Sequence, residues 1–255
     1  MSFQPSLLQF IIVCPLCFIS GFMDAVAGGG GLISLPAYLL AGLPPKLAAG
    51  TNKLSASIGT VAAAGKFLRS GHILMRLALP AALLAFPGSW LGTMLLNSLP
   101  DRQILRMLAL VLPLAAAVVL LRRGSLAPAA SLSANKLAPV CALSGFMIGF
   151  YDGLIGPGTG TFLILMFTWV AGADPVDASG SAKAVNLASN AASLFTQIAS
   201  GNVLYALGLP AAVFAAAGGA LGARAAIKGG AKLIRAVILA VLTMLFIYLA
   251  WQAFF

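Results

Sequence analysis

Long apolar runs succeed one another along almost the whole chain, at about 7–27, 54–68, 77–97, 103–121, 137–155, 184–199, 205–223 and 233–254. A helix crosses the hydrocarbon of a bilayer with about 20 mostly apolar residues, and most of these runs approach that length. A soluble fold of this size has too little interior to hide them all. Only 8% of the residues are charged and 61% are hydrophobic, whereas soluble domains carry about 25% charged residues. Lipid must therefore be the solvent for much of the surface, and an all-α polytopic membrane protein is expected. Two further apolar runs, 32–43 and 160–172, are too short to span upright. Each follows a glycine-rich break, Gly28-Gly29-Gly30-Gly31 and Gly156-Pro157-Gly158-Thr159-Gly160. They read as half-helices, re-entrant pieces or spans of a thinned bilayer.

Punctuation and apolarity both repeat along the chain. Gly21-Phe22-Met23-Asp24 matches Gly149-Phe150-Tyr151-Asp152 at an offset of 128. Gly50-Thr51-Asn52-Lys53 matches Gly180-Ser181-Ala182-Lys183 at an offset of 130, as do Ser70-Gly71-His72-Ile73 and Ser200-Gly201-Asn202-Val203. Pro80 and Pro210, Gly88 and Gly218, and Leu91-Gly92 and Leu221-Gly222 continue the series. Chance seldom produces such a pattern, so the chain divides into two related membrane repeats, 1–121 and 137–255, with a polar linker at 122–136.

Charge orients the repeats. The loop at 66–76 holds Lys66, Arg69 and Arg76, while its counterpart at 196–206 holds no charge. The loop at 98–106 is balanced by a richer cluster, Arg224, Lys228, Lys232 and Arg235, in its counterpart. Equivalent loops thus differ in basic content as if they faced opposite sides. With five helical segments per half, an odd number, the second repeat is inverted. The positive-inside rule then makes the linker cytoplasmic and both termini periplasmic. The formal net charge of +10 would suggest nucleic acid in a soluble domain. Here it is assigned to orienting the helices, and no nucleic-acid partner is expected.

Inverted repeats with broken helices form the pattern of a transporter, whose site lies at the breaks. Backbone freed from a helix is tolerated at membrane depth only where it lines a cavity or is buried in protein. A half-helix starting after such a break points its free N–H groups and positive dipole end at a ligand, which favours an anion. Gly28, Gly29, Gly30 and Gly31 in the first repeat and Gly156, Gly158, Thr159 and Gly160 in the second are candidate substrate contacts on this ground. The same glycines would also permit close helix packing. Lys53 and Lys183 are repeat-related, and a charge near the membrane interior is costly and usually functional. With Thr51, Asn52 and Ser181 they could hold an oxyanion; the alternative is that both snorkel to an interface. Asn186 and Asn190 share a helix face below Lys183 and could bind substrate or join helices. Asp24 and Asp152 precede the breaks. They could pair with the lysines, carry a coupling proton, help hold a cation such as sodium, or cap helix ends.

Other chemistries find little support. Cys14 and Cys17 form a C-x-x-C in an apolar run without a βαβ pattern, so no redox function is expected. His72 has no clustered partner for a metal. The first ten residues lack Lys and Arg, so the first helix reads as retained rather than cleaved. Two intramembrane aspartates suggest an intramembrane aspartyl protease, but no Asp follows in the glycine motif and the two are copies of one another. G-x-S-x-G, H-E-x-x-H and a P-loop are absent from the sequence, so neither an enzyme nor direct ATP coupling is expected.

At these residues the sequence resembles the TauE/SafE family of membrane permeases, the sulfite exporter family. GFMDAVAGGGGLISLPAYLLAGLPPKLAAGTNKLSASIGT carries the resemblance in the first half. GFYDGLIGPGTGTFLILMF and SGSAKAVNLASNAASL carry it in the second and look like the YfcA-like branch. The second break departs from the glycine-richer pattern of many relatives at Pro157 and Thr159, which bears on substrate preference. The resemblance implies a secondary transporter of the inner membrane for sulfite, sulfonates or other small sulfur-containing or organic anions, with no cofactor beyond an ion gradient. An anion channel of the same architecture, or a membrane scaffold without flux, would carry the same composition.

Overall fold

The computed structural model describes residues 5–108, 110 and 133–254. Eight helices are defined in order: α1 Leu7–Ala27, α2 Gly31–Leu40, α3 Pro45–Arg69, α4 Met75–Ser98, α5 Ala134–Leu154, α6 Thr159–Trp169, α7 Pro175–Ala199 and α8 Tyr205–Phe254. Residues 101–108 are also helical, and no strand occurs among the described residues. The span expected at 103–121 is described only at its start. Of the 122–136 linker, residues up to 132 lie outside the described residues, and Ala134 already opens α5. The two spans expected at 205–223 and 233–254 form one element bent at Gly230, whose φ of 57° interrupts the helix.

Element lengths run in two matching series. α1 and α5 have 21 residues each, α2 and α6 have 10 and 11, and α3 and α7 have 25 each. Among the described residues, four stretches, Leu7–Ala27, Met75–Ser98, Lys136–Leu154 and Tyr205–Ile234, are long and apolar enough to cross a membrane. They expose Leu8, Ile11, Leu83, Trp90, Leu143, Met147, Val213 and Leu221 outward, as lipid requires. At 1.5 Å per residue, α2 and α6 reach only about half the hydrocarbon thickness.

α3 and α7 are longer than their apolar runs, which began at 54 and 184. Each starts with a proline at the first helical position, Pro45 and Pro175, where a missing N–H costs no hydrogen bond. The Asp174 side chain also caps α7 by accepting from Val176 N at 2.8 Å. The polar stretches Thr51-Asn52-Lys53 and Ser181-Ala182-Lys183 therefore lie inside helices. They tolerate membrane depth because they are buried against the surrounding elements.

The packing crosses between halves. α1 lies chiefly against α8, and α5 against α4, while α3 contacts α8 and α7 contacts α4. Small residues bring these axes close. Gly145, Gly149 and Gly153 of α5 recur every four residues and face the backbone of Ala81, Ala85 and Ser89 on α4. On the opposite flank, Gly218 and Gly222 of α8 face the carbonyls of Phe18 and Phe22, and Gly21 faces that of Ala215.

Candidate functional site

Both glycine clusters interrupt their helices. Gly28 ends α1 in the left-handed region, φ 76°, and donates its N–H to the Asp24 carbonyl at 2.9 Å. Gly158 precedes α6 at φ 87°. A side chain at either position would be strained. The two breaks meet in the middle of the bundle. A Cβ on Gly160 would stand 2.5 Å from the Gly28 Cα, and one on Gly31 would stand 3.1 Å from the Pro157 Cα. Thr161 Oγ1 donates to the Ala27 carbonyl at 2.7 Å and ties α6 to the end of α1. Each stretch of irregular backbone is thus covered by the other.

Around this crossing stand four charges from four helices. Lys53 is the ninth residue of α3 and Lys183 the ninth of α7, so equal helix starts place them equivalently. Lys53 Nζ donates to Asp152 Oδ2 at 2.8 Å, and Lys183 Nζ donates to Asp24 Oδ2 at 2.8 Å. Each lysine is therefore neutralised by an acid from the other half of the chain. The Lys53 and Asp152 side chains are 10% and 7% exposed, so neither lysine of the site snorkels: Lys183 is 0% exposed and Asp24 24%.

The two pairs differ in their surroundings. Asp152 also accepts from Ser189 Oγ at 2.7 Å and from Thr159 Oγ1 at 3.0 Å, and Lys53 also donates to Asn190 Oδ1 at 3.0 Å. Among the described residues the Asp24 and Lys183 side chains bond only to each other.

A cavity of about 60 Å³ opens beside the crossing. On the same measure a water needs about 10–15 Å³, so a small solute fits. Of the residues singled out from sequence, Gly28, Gly31, Asn52, Lys53, Gly156, Thr159, Gly160 and Asn186 line it, together with Asp24 and Asp152. Gly29, Gly30, Gly158 and Lys183 do not; Lys183 reaches it through Asp24. Thr51 and Ser181 also lie off the lining. Their hydroxyls accept the N–H groups of Leu204 and Leu74, each at 3.0 Å, and so hold the chain entering the fourth helix of the opposite half.

Among the described residues, three buried polar atoms have no partner: Asn52 Oδ1, Asn186 Oδ1 and Gln197 Nε2. All three side chains line the cavity. Gln197 is oriented by Asn202 Nδ2, which donates to its Oε1 at 3.0 Å and leaves its Nε2 as an unused donor. An unsatisfied buried polar atom costs about 1–3 kcal/mol, so water or a bound solute in the cavity would complete these three. Gln197 and Ser193 were not singled out from sequence. With Lys183, Asn186 and Asn190 they form a polar stripe at alternating three- and four-residue steps along one face of α7, and that spacing was the signal.

A lipid-embedded helical bundle, with a charge-balanced polar cavity where two broken helices meet, defines a membrane transporter. The chain belongs to the sulfite exporter TauE/SafE family, which it matches over residues 13–249. It is 36% identical over 238 residues to a probable membrane transporter protein, ORF9, of a Sinorhizobium species, covering 92% of this chain and 89% of that one. A probable membrane transporter protein of Haemophilus influenzae is 35% identical, with 87% and 86% covered. The probable membrane transporter protein YfcA of Escherichia coli K12 is 31% identical, with 89% and 84% covered. No solved structure matches the chain.

Proposed function

We propose that the chain is a secondary transporter of a small anion, sulfite, a sulfonate or a related sulfur-containing or organic anion, in a bacterial-type inner membrane. The carrying observation is the buried cavity in which the Lys53 ammonium and the unused Gln197 Nε2 donor, with the side chains of Asn52 and Asn186, converge on the crossing of the two glycine breaks. Buried ammonium groups, the Gln197 amide donor and helix starts favour negative solutes. The two halves act as inverted repeats that rock about this crossing and expose the cavity alternately to either side. The linker is then cytoplasmic and both termini periplasmic. A proton or sodium gradient supplies the driving force. The exchanged packing of α1 with α8 and of α4 with α5 suits such rocking, because it makes two rigid flanks that share the central site.

Lys53→Ala and Lys183→Ala are each expected to abolish uptake into proteoliposomes while the protein still inserts. Wild-type flux through both would defeat the assignment. A thermal-shift screen with sulfite, thiosulfate, sulfonates and carboxylates identifies the substrate class. Saturable flux that concentrates the anion against its gradient separates this reading from a channel.

A further inference from the structure

Asp24, Lys53, Asp152 and Lys183 sum to zero charge, so an anion entering this cavity meets no spare positive charge. One carboxylate has to give up its lysine. We propose that it is Asp24. On loading, Asp24 takes a proton from the bulk solution on the loading side and releases Lys183, whose ammonium then binds the substrate anion; on the other side the anion leaves, Asp24 gives its proton to that solution and the ion pair re-forms, so that one proton travels with each anion. The inference rests on the transport reading and assigns its coupling.

The repeat itself makes the choice. The residues that brace the Lys53–Asp152 pair are Thr159, Ser189 and Asn190. At the offsets of 128 and 130 their counterparts are Gly31, Gly59 and Thr60. Two of these have no side chain, and Thr60 Oγ1 accepts from Asn190 at 3.3 Å instead. The duplication therefore carries one braced pair and one bare pair. Opening the braced pair would strand an ammonium and a carboxylate among fixed partners. Opening the bare pair breaks a single hydrogen bond at a carboxylate that is 24% exposed and faces the cavity.

Lys183 is fully buried and uses one of its three N–H donors. Once Asp24 is neutral, a fully buried cation remains without a counter-ion, and the anion supplies it from the position that the carboxylate leaves. The other titratable side chains facing the cavity are Lys53, Asp152 and Cys17. Tyr38 of α2 lies behind Cys17 and donates to Ser55 at 2.9 Å. α6 brings no titratable group, and α8 reaches the cavity with Ala215. No other acid therefore competes with Asp24 on that wall.

The test uses purified protein in liposomes with sulfite and methanesulfonate as probes. For the wild type, an inside-alkaline gradient should concentrate the anion about tenfold per pH unit, and a membrane potential alone should not drive a monoanion. Asp24→Asn mimics the protonated acid. It should lose accumulation driven by the pH gradient and take up no proton when it binds methanesulfonate, while Asp24→Glu restores both. Accumulation that survives in Asp24→Asn, or is lost only in Asp152→Asn, overturns the proposal. Should Asp24→Asn fail to run as a single species in size exclusion, proton uptake by the detergent-solubilised wild type decides. One proton taken up per methanesulfonate bound supports the proposal, and binding without uptake overturns it. Absence of binding or flux of any anion tested with the wild type would instead defeat the transport reading beneath it.

Discussion

Replacing Asp152 by leucine tests whether the buried cross-repeat ion pair is formed as described. The substitution leaves the Lys53 ammonium, 10% exposed, with Asn190 Oδ1 as its remaining partner. Breaking a buried pair from one side costs about 3–5 kcal/mol. The hydroxyls that also served Asp152 add little to this. Ser189 Oγ still reaches the Asn186 carbonyl at 3.2 Å, and Thr159 Oγ1 the Gly156 carbonyl at 2.6 Å. Lys53→Met should cost less, about 1.5–3 kcal/mol, the range for hydrogen bonds to charged groups, because Asp152 keeps two hydroxyl donors. Removing both charges together should be nearly neutral, so the double variant is more stable than Asp152→Leu alone. At about 2–4 °C per kcal/mol for a chain of this size, Asp152→Leu loses about 6–20 °C and the double variant recovers most of that. Thermal unfolding in detergent, followed by tryptophan fluorescence, measures all four forms. A double variant that loses the sum of the two single losses would show that the two side chains do not interact, and the geometry of the site would fall with them.

Gln197→Leu removes an unpartnered buried donor, so it should leave the unfolding temperature unchanged or raise it while weakening anion affinity about tenfold, as read by the substrate-induced thermal shift. Thr51→Val and Ser181→Ala each leave a backbone N–H, of Leu204 or Leu74, without its acceptor. Each should lower stability by about 1 kcal/mol in the same assay, and the two losses should add because the two contacts share no partner. Gly153→Leu drives a side chain into the Ser89 backbone on α4. It should abolish accumulation of folded protein, seen as loss of the monodisperse peak in size exclusion.

The membrane class and the two breaks were legible because each is written in local pattern: apolar length and glycine clusters. Lys53, Lys183, Asp24 and Asp152 were legible as repeat-related charges in apolar surroundings. Their partners were not, because Lys53 and Asp152 stand 99 residues apart and Lys183 and Asp24 stand 159 apart. Only the exchanged packing decides that each lysine meets the acid of the other half. The first turns of α3 and α7 were hidden by their own polarity, since a search for apolar runs stops at Thr51-Asn52-Lys53 and at Ser181. Thr51 and Ser181 looked like ligand groups by residue type. Their actual partners, Leu204 N and Leu74 N, are backbone atoms that no side-chain pattern announces. Gln197 was missed because a single amide among Leu194, Phe195 and Ile198 has no local contrast, and only the step from Asn190 through Ser193 exposes it.

The partnership of α1 with α8 joins the first helix that is made to the last. A ribosome that has completed the first four helices has inserted α1 into the bilayer with its glycine-bearing face still open to lipid, and the surface that covers it is almost two hundred residues away in synthesis. The first half therefore waits unfinished until the second arrives. A polypeptide cut between Leu110 and Ser133 should yield fragments that persist in the cell only when both are produced together.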